Sequence, residues 1–167
     1  MSKAVFYAGD LRIYSVPSAL IAHVEWAINQ QLGQSLQFDW IPQPLSPGAF
    51  ALEMSWREPT NIAGKLAISL KSWSLIRFEI HESNSKYLDG ILFRCTPDLG
   101  LHQISAGPTG ELMINENSIK RVIATATSQK KLVSNLENIL GSEWDIELEP
   151  FRIALAEIHQ QKFSQIG

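Results

Sequence analysis

The sequence predicts an α+β fold, a ferredoxin-like β-α-β-β-α-β core with a C-terminal extension of short strands and helices. Three observations predict it. Apolar residues recur at helical spacing twice, at Leu20, Val24, Ala27, Ile28 and Leu32 and again at Ile62, Leu66 and Leu70. Three stretches alternate with period two, and a fourth is rich in β-formers. Their order is strand, helix, strand, strand, helix, strand, the split arrangement in which two helices cover one face of an antiparallel sheet.

Leu11 to Val16 is the first strand. Ser15 or Ser18 then caps a helix with Pro17 in or beside its first turn, and Gly33 stops it. Leu36 to Ile41 alternates, with Leu36, Phe38 and Trp40 on one side. Prolines at 42, 44 and 47 and Gly48 form a stiff connection to Ala49–Trp56, where Phe50, Leu52, Met54 and Trp56 share a face. A hairpin register pairing Trp40 with Phe50 makes that face wholly apolar. Pro59 and Thr60 open the second helix, widened by Ala63 and Ala67, and Gly64 inside it points to close backbone packing. Leu75 to His81 closes the core with Ile76, Phe78 and Ile80 inward.

After a polar break at Ser83–Lys86, strands are expected over 91–95, 101–105 and 112–114, with turn residues at 96–98 and 107–110. Asn115 caps a helix carrying Ile119, Val122 and Ile123. Ser128 caps another that ends at Gly141, and beyond Pro150 the pattern fades. The whole, 1–167, reads as one domain, with its core over 11–81 and the extension over 91–167.

At 167 residues and 45% apolar content the chain has material for a core without disulfide or metal. The net charge of −3 is well mixed, and no basic run exceeds Lys130-Lys131, which argues against nucleic acid and anionic membrane as partners. A lone Cys95 excludes an intramolecular disulfide and any multi-cysteine metal site, and it reads as a buried, inert thiol. No apolar run reaches membrane-spanning length and the N-terminus is no signal peptide, so the expected location is the cytoplasm.

Several stretches carry a resemblance. Val16-Pro17 precedes His23-Val24-Glu25-Trp26-Ala27, and Asp39-Trp40 precedes Pro42-Gln43-Pro44. Further on come Ser55-Trp56, Trp73 with Arg77-Phe78-Glu79, and Thr96-Pro97-Asp98-Leu99-Gly100. Trp144-Asp145 then leads to Glu147-Leu148-Glu149-Pro150-Phe151-Arg152. In this order they resemble an uncharacterised actinobacterial family, a bacterial domain of unknown function, over about residues 11–152. The tail after Arg152 departs from that pattern, and Ile146 interrupts the acidic run after Asp145. The resemblance implies no reaction, ligand or cofactor.

Known catalytic signatures fail on named residues. Gly64-Lys65 lacks the first glycine of a phosphate loop, with Pro59 there and Leu66 in place of Ser or Thr. His23-x-Glu25 lacks the paired cysteines of zinc deaminases. RNA binding on an open sheet needs a stacking platform, but Asp39, Glu53 and Glu79 occupy that face.

The candidate ligand or partner surface comprises His23, Glu25, Trp26, Asp39, Glu53, Arg77, Glu79 and His81. Most of these project from the sheet face opposite the two helices, where mixed charge suits a polar ligand or proton transfer, but also mere solvent exposure. Glu143, Asp145, Glu147 and Glu149 are weak metal candidates, because acids also favour a helix N-terminus, and Ser142 with Asp145 resembles a capping box. Arg152 is expected to pair with one of these acids. No cofactor is expected. The leading functional expectation is a non-catalytic interaction or small-ligand regulatory domain, with a homodimer as a partner state. The alternative is a small enzyme using carboxylate and His side chains from the open face.

Overall fold

A computed structural model describes residues 4–165. Among the described residues the chain is α+β, with one seven-stranded antiparallel sheet and five α-helices. The strands are β1 (Tyr7–Pro17), β2 (Ile41–Pro42), β3 (Ala49–Glu58), β4 (Arg77–Asn84), β5 (Gly90–Thr96), β6 (Gly100–Ala106) and β7 (Leu112–Met113). The helices are α1 (Ile21–Leu32), α2 (Ala63–Lys71), α3 (Glu116–Thr125), α4 (Gln129–Leu140) and α5 (Ser142–Ser164). The sheet order is β2-β3-β1-β4-β5-β6-β7, so the extension strands continue the same sheet outward from β4.

The main core lies between α1, α2 and one sheet face. Leu11, Ile13, Leu52, Trp56, Phe78, Ile80 and Phe93 meet Val24, Ile28, Leu66 and Leu70 there. A register shift in β1 between Ile13 and Val16 returns Val16 to the same face, so two residues lie between two inward side chains where strict alternation places one. Tyr14, alternating with Ile13 in the ordinary way, lies on the opposite face with Ala51.

Glu82 supports this core from within. Its buried carboxylate accepts from Trp56 Nε1 at 3.0 Å, from Ile62 N at 3.0 Å and from Ala63 N at 3.3 Å. It thereby satisfies the orphan N–H groups at the start of α2, where Ile62 at the N-cap offers no side-chain cap. In Glu82→Gln one acceptor becomes an NH₂ facing these donors, and urea denaturation is expected to show a loss of about 2 kcal/mol.

Several details differ from the sequence expectations. The segment 36–41 is extended but mostly unpaired: only Ile41 and Pro42 enter the ladder, and Pro42, not Trp40, lies opposite Phe50. Leu36, Phe38 and Trp40 nonetheless pack against the core, so their alternation reports burial without strand pairing. Neither Ser15 nor Ser18 caps α1, since a 3-10 turn at Ser18–Leu20 leads into it without a side-chain cap. Gly64 makes no unusually close approach: a Cβ there would meet the Phe93 ring at 3.8 Å, an ordinary contact. Ser142 and Asp145 form no capping box, because Gly141 is the N-cap of α5 and makes no side-chain hydrogen bond. Asn115 and Ser128 do cap α3 and α4, accepting from Ser118 N at 2.8 Å and Lys131 N at 3.1 Å.

The largest difference is α5, which runs through Pro150 to Ser164. Proline in a helix interior removes a hydrogen bond and crowds the preceding turn, at about 3 kcal/mol. Here the helix is held by packing on the sheet, where Leu148, Phe151, Leu155 and Ile158 meet Tyr14 and Ala51. No helix among the described residues is long and apolar enough to cross a membrane.

Candidate functional site

The face opposite α1 and α2 carries a row of polar residues, one from each of five neighbouring strands, four of them charged. Glu53 stands opposite Arg12, Arg12 opposite Glu79, Glu79 opposite Arg94, and Arg94 opposite His102. Directly opposed residues on one sheet face are close neighbours, so the alternating signs of Glu53, Arg12, Glu79 and Arg94 attract along the row, and His102 ends it beside Arg94 as a hydrogen-bond partner. Helix α5 crosses this row and complements it. Asp145, Arg152 and His159 are seven apart, two helical turns, and therefore share one side of the helix. Asp145 pairs with Arg94 at 2.7 Å, Arg152 with Glu79, and His159 with Glu53.

Further contacts tighten the seam. Arg152 also meets Asp145 at 2.9 Å and Glu149 at 3.1 Å. Tyr14 donates its hydroxyl to Glu79 at 2.5 Å. Arg77 pairs with Glu147 at 3.2 Å and lies 4.8 Å over the Phe151 ring. Burial, then the Glu79 carboxylate, push the Tyr14 phenol well above its ordinary range. Burial alone would raise the Asp145 carboxyl, but hydrogen bonds and charge from Arg94 and Arg152 outweigh it, and the net direction is down.

Arg94 is the anchor of the seam, 1% exposed and the largest fully buried side chain. Its Nη2 donates to the Leu140 carbonyl and stands 3.3 Å from His102 Nδ1. His102 Nε2 lies 2.8 Å from the Ile139 carbonyl, so the ring is neutral with its proton on Nε2 and accepts through Nδ1. Together Arg94 and His102 cover the orphan carbonyls at the end of α4, where a cation also favours the helix dipole. Trp144 packs its ring 4.8 Å from His102 and donates Nε1 to the Gly100 carbonyl at 2.9 Å. Arg94 Nε has no hydrogen-bond partner among the described residues.

Burial pushes the His102 pKa down, and Arg94 adds to this against the raising effects of the Ile139 carbonyl and Asp145. A folded value below the unfolded one, about 6.5, means the unfolded chain takes up the proton first as pH falls. This contribution to stability is therefore complete above about pH 6.5 and is lost as pH drops toward the folded value. Urea midpoints measured from pH 8 to pH 5 should fall, and His102→Gln, which keeps a donor and an acceptor, should flatten the part of the slope near pH 6.

The expected surface residues divide between two sides of the sheet. His23, Glu25 and Trp26 lie on α1: His23 tilts 6.2 Å from the Trp73 ring, Glu25 accepts from Trp40 Nε1 at 2.8 Å, and Trp26 is 63% exposed. Asp39 is exposed in the unpaired segment before β2. Glu53, Arg77 and Glu79 belong to the α5 seam, and of these with His81 only Glu79 and His81 line a common cavity. Among the acidic candidates Asp145, Glu147 and Glu149 are paired with arginines and Glu143 is exposed. Among the described residues no three His, Cys, Asp or Glu side chains come together for a metal ion. Cys95 is buried, and burial pushes its thiol up to about 11.

Beside the seam the sheet face stays open in a cavity of about 270 Å³, lined by Asp10, Arg12, Glu79, His81, Leu92 and Gly110. Three of these, Asp10, His81 and Leu92, belong to the next cross-strand row, in which Ser55 stands opposite Asp10. Asp10 accepts from Ser55 Oγ at 2.6 Å through one oxygen. The His81 ring leans over Gly90, where a Cβ would stand 3.0 Å from Nε2. Asp10, Arg12, Tyr14 and Arg94 were not among the sequence candidates. The alternation of β1, with Asp10 and Arg12 on one side of Leu11, was the signal available for the first two.

A family model described as a protein of unknown function (DUF3145) matches residues 11–164, extending past the end of the resemblance seen at 152 and through nearly all of α5. No curated protein and no solved structure matches the chain. With both halves of the sheet and the covering helix inside the match, the chain belongs to the DUF3145 family of proteins of unknown function.

Proposed function

We propose that the chain is a non-catalytic domain that binds a small polar ligand, in a regulatory role, at the pocket of Asp10, Arg12, Glu79, His81, Leu92 and Gly110. The observation that carries this is the distribution of charge on the α5 face. Glu53, Glu79, Arg77 and Arg94 are engaged with α5, whereas Asp10, Arg12 and His81 border the opening beside it. A concave site with a few convergent polar groups and an apolar wall is the usual form of a small-molecule site.

The β2-β3-β1-β4 order supports reading residues 7–84 as a ferredoxin-like core within a single domain. That core hosts unrelated functions, so the proposal rests on the pocket and not on the fold. A bacterial cytoplasmic setting belongs to the same proposal, supported by the resemblance and by a single buried cysteine.

The test is thermal unfolding of the full chain against a panel of small polar metabolites at millimolar concentration. At least one member is expected to raise the Tm by about 4 °C or more, as saturation well above Kd requires. The rise should vanish in an Asp10→Asn, His81→Gln double variant that retains the unliganded Tm. A flat response across the panel, or a rise undiminished in the variant, contradicts the proposal. A carboxylate-histidine enzyme is the second reading, favoured by one observation, that Asp10 and His81 are direct cross-strand partners in the pocket. It expects the bound compound to be consumed, which NMR of the mixture detects.

A further inference from the structure

We infer that the ligand of this pocket is a zwitterion, a free α-amino acid with an apolar side chain; this rests on the pocket reading above. The signs of charge select it. Glu79 is matched by Arg152 and by the Tyr14 hydroxyl, so it adds little net negative charge to the opening. The remaining formal charges are one of each sign, Arg12 and Asp10, with the His81 imidazole beside them. A polyanion such as a nucleotide or sugar phosphate meets Asp10, and a polycation meets Arg12. A molecule bearing one carboxylate and one ammonium satisfies both.

Geometry and availability agree. Asp10 and Arg12 are two apart on one face of β1, so their Cα atoms stand roughly 6.6 Å apart, and a compact ligand spans the gap between the two head groups. Arg12 meets Glu53 through Nε at 3.4 Å with 57% of its side chain exposed. An exposed pair of that kind contributes little, about 0–1 kcal/mol, and yields to a carboxylate held bidentately by the guanidinium fork. Asp10 uses one oxygen on Ser55, leaving the second to accept from an ammonium.

The walls limit the rest of the ligand. Leu92 offers an apolar surface, Gly110 closes one side with backbone, and 270 Å³ lies below the roughly 300–1,000 Å³ of sites for drug-sized molecules. A single free amino acid fits this volume, and the Leu92 wall favours an apolar side chain.

Calorimetric titration of the full chain with single free L-amino acids tests the inference, alongside the N-acetyl form, which lacks the ammonium, and the amide, which lacks the carboxylate. An apolar amino acid is expected to bind, with each blocked form weaker by about tenfold or more. Arg12→Gln should weaken the free form by about tenfold while bringing it level with its amide. Equal binding of a blocked form, or binding of another panel compound with none by any amino acid, overturns the zwitterion and leaves the pocket standing. Heat from no compound of either set removes the pocket reading as well.

Discussion

Replacing Arg94 with alanine is expected to destabilise the chain by about 3–5 kcal/mol, the range for breaking a buried ion pair from one side. The loss has three parts: a cavity where the largest fully buried side chain stood, an uncovered Leu140 carbonyl, and the loss of the Asp145 partner. Arg94→Met separates them. Methionine fills much of the volume and brings no charge to bury, while Asp145 keeps Arg152 and partial access to water. Its cost should be about 1–2 kcal/mol, mainly from the unsatisfied carbonyl. Urea denaturation measures both, and Trp144 fluorescence should report a loosened α4–α5 corner in each. Equal losses for Ala and Met would show that filling the volume contributes nothing.

Gly141→Ala is expected to cost about 2–4 kcal/mol, well beyond the roughly 1 kcal/mol of a left-handed non-glycine residue. Gly141 has φ +74°, and a Cβ there would overlap Arg94 Nη2 and stand 2.7 Å from His102 Cε1. Both side chains are held by the last carbonyls of α4 and have little freedom to retreat. Gly33→Ala is the matched control, with φ +63° and nothing within 4 Å of its Cβ. It should lose only the conformational part. If the two variants lose the same stability, the approach of Arg94 to the helix corner is not a constraint.

The elements that sequence made legible are those whose periodicity and punctuation agree. β4 alternates without interruption through Phe78 and Ile80, and α4 has Ser128 at one end and Gly141 at the other. Failure came where tertiary packing decides. Leu36, Phe38 and Trp40 alternate because they cover the core edge, yet Pro42 and the turn closed by Gln43 N donating to the Ala49 carbonyl leave room for two paired residues. Beyond Pro150 the sequence pattern fades, yet α5 passes through the proline because its apolar stripe has a sheet to lie on.

The candidate site was legible in half. Period-two alternation placed Glu53, Arg77, Glu79 and His81 on the face opposite α1 and α2, and the arginine at 152 was expected among the neighbouring acids. It could not show that Arg94 is buried, because a charged residue alternating with Phe93 and Cys95 looks the same whether water or a helix lies above it. The partners of Arg94 and His102 lie some 40 residues onward at α4, joined by no local pattern. A covering helix that carries Asp145, Arg152 and His159 at heptad spacing is readable only once the opposing row is known.

The most direct measurement is amide chemical-shift mapping of the ¹⁵N-labelled full chain, titrated with the small polar panel that includes free amino acids. Shifts are expected at residues 10–12, 79–82, 91–93 and the 107–110 turn, with α1 and the outer side of α5 unchanged. Shifts centred on His23, Glu25 and Trp26, or a spectrum unmoved at every compound, would contradict the assignment of function to this pocket.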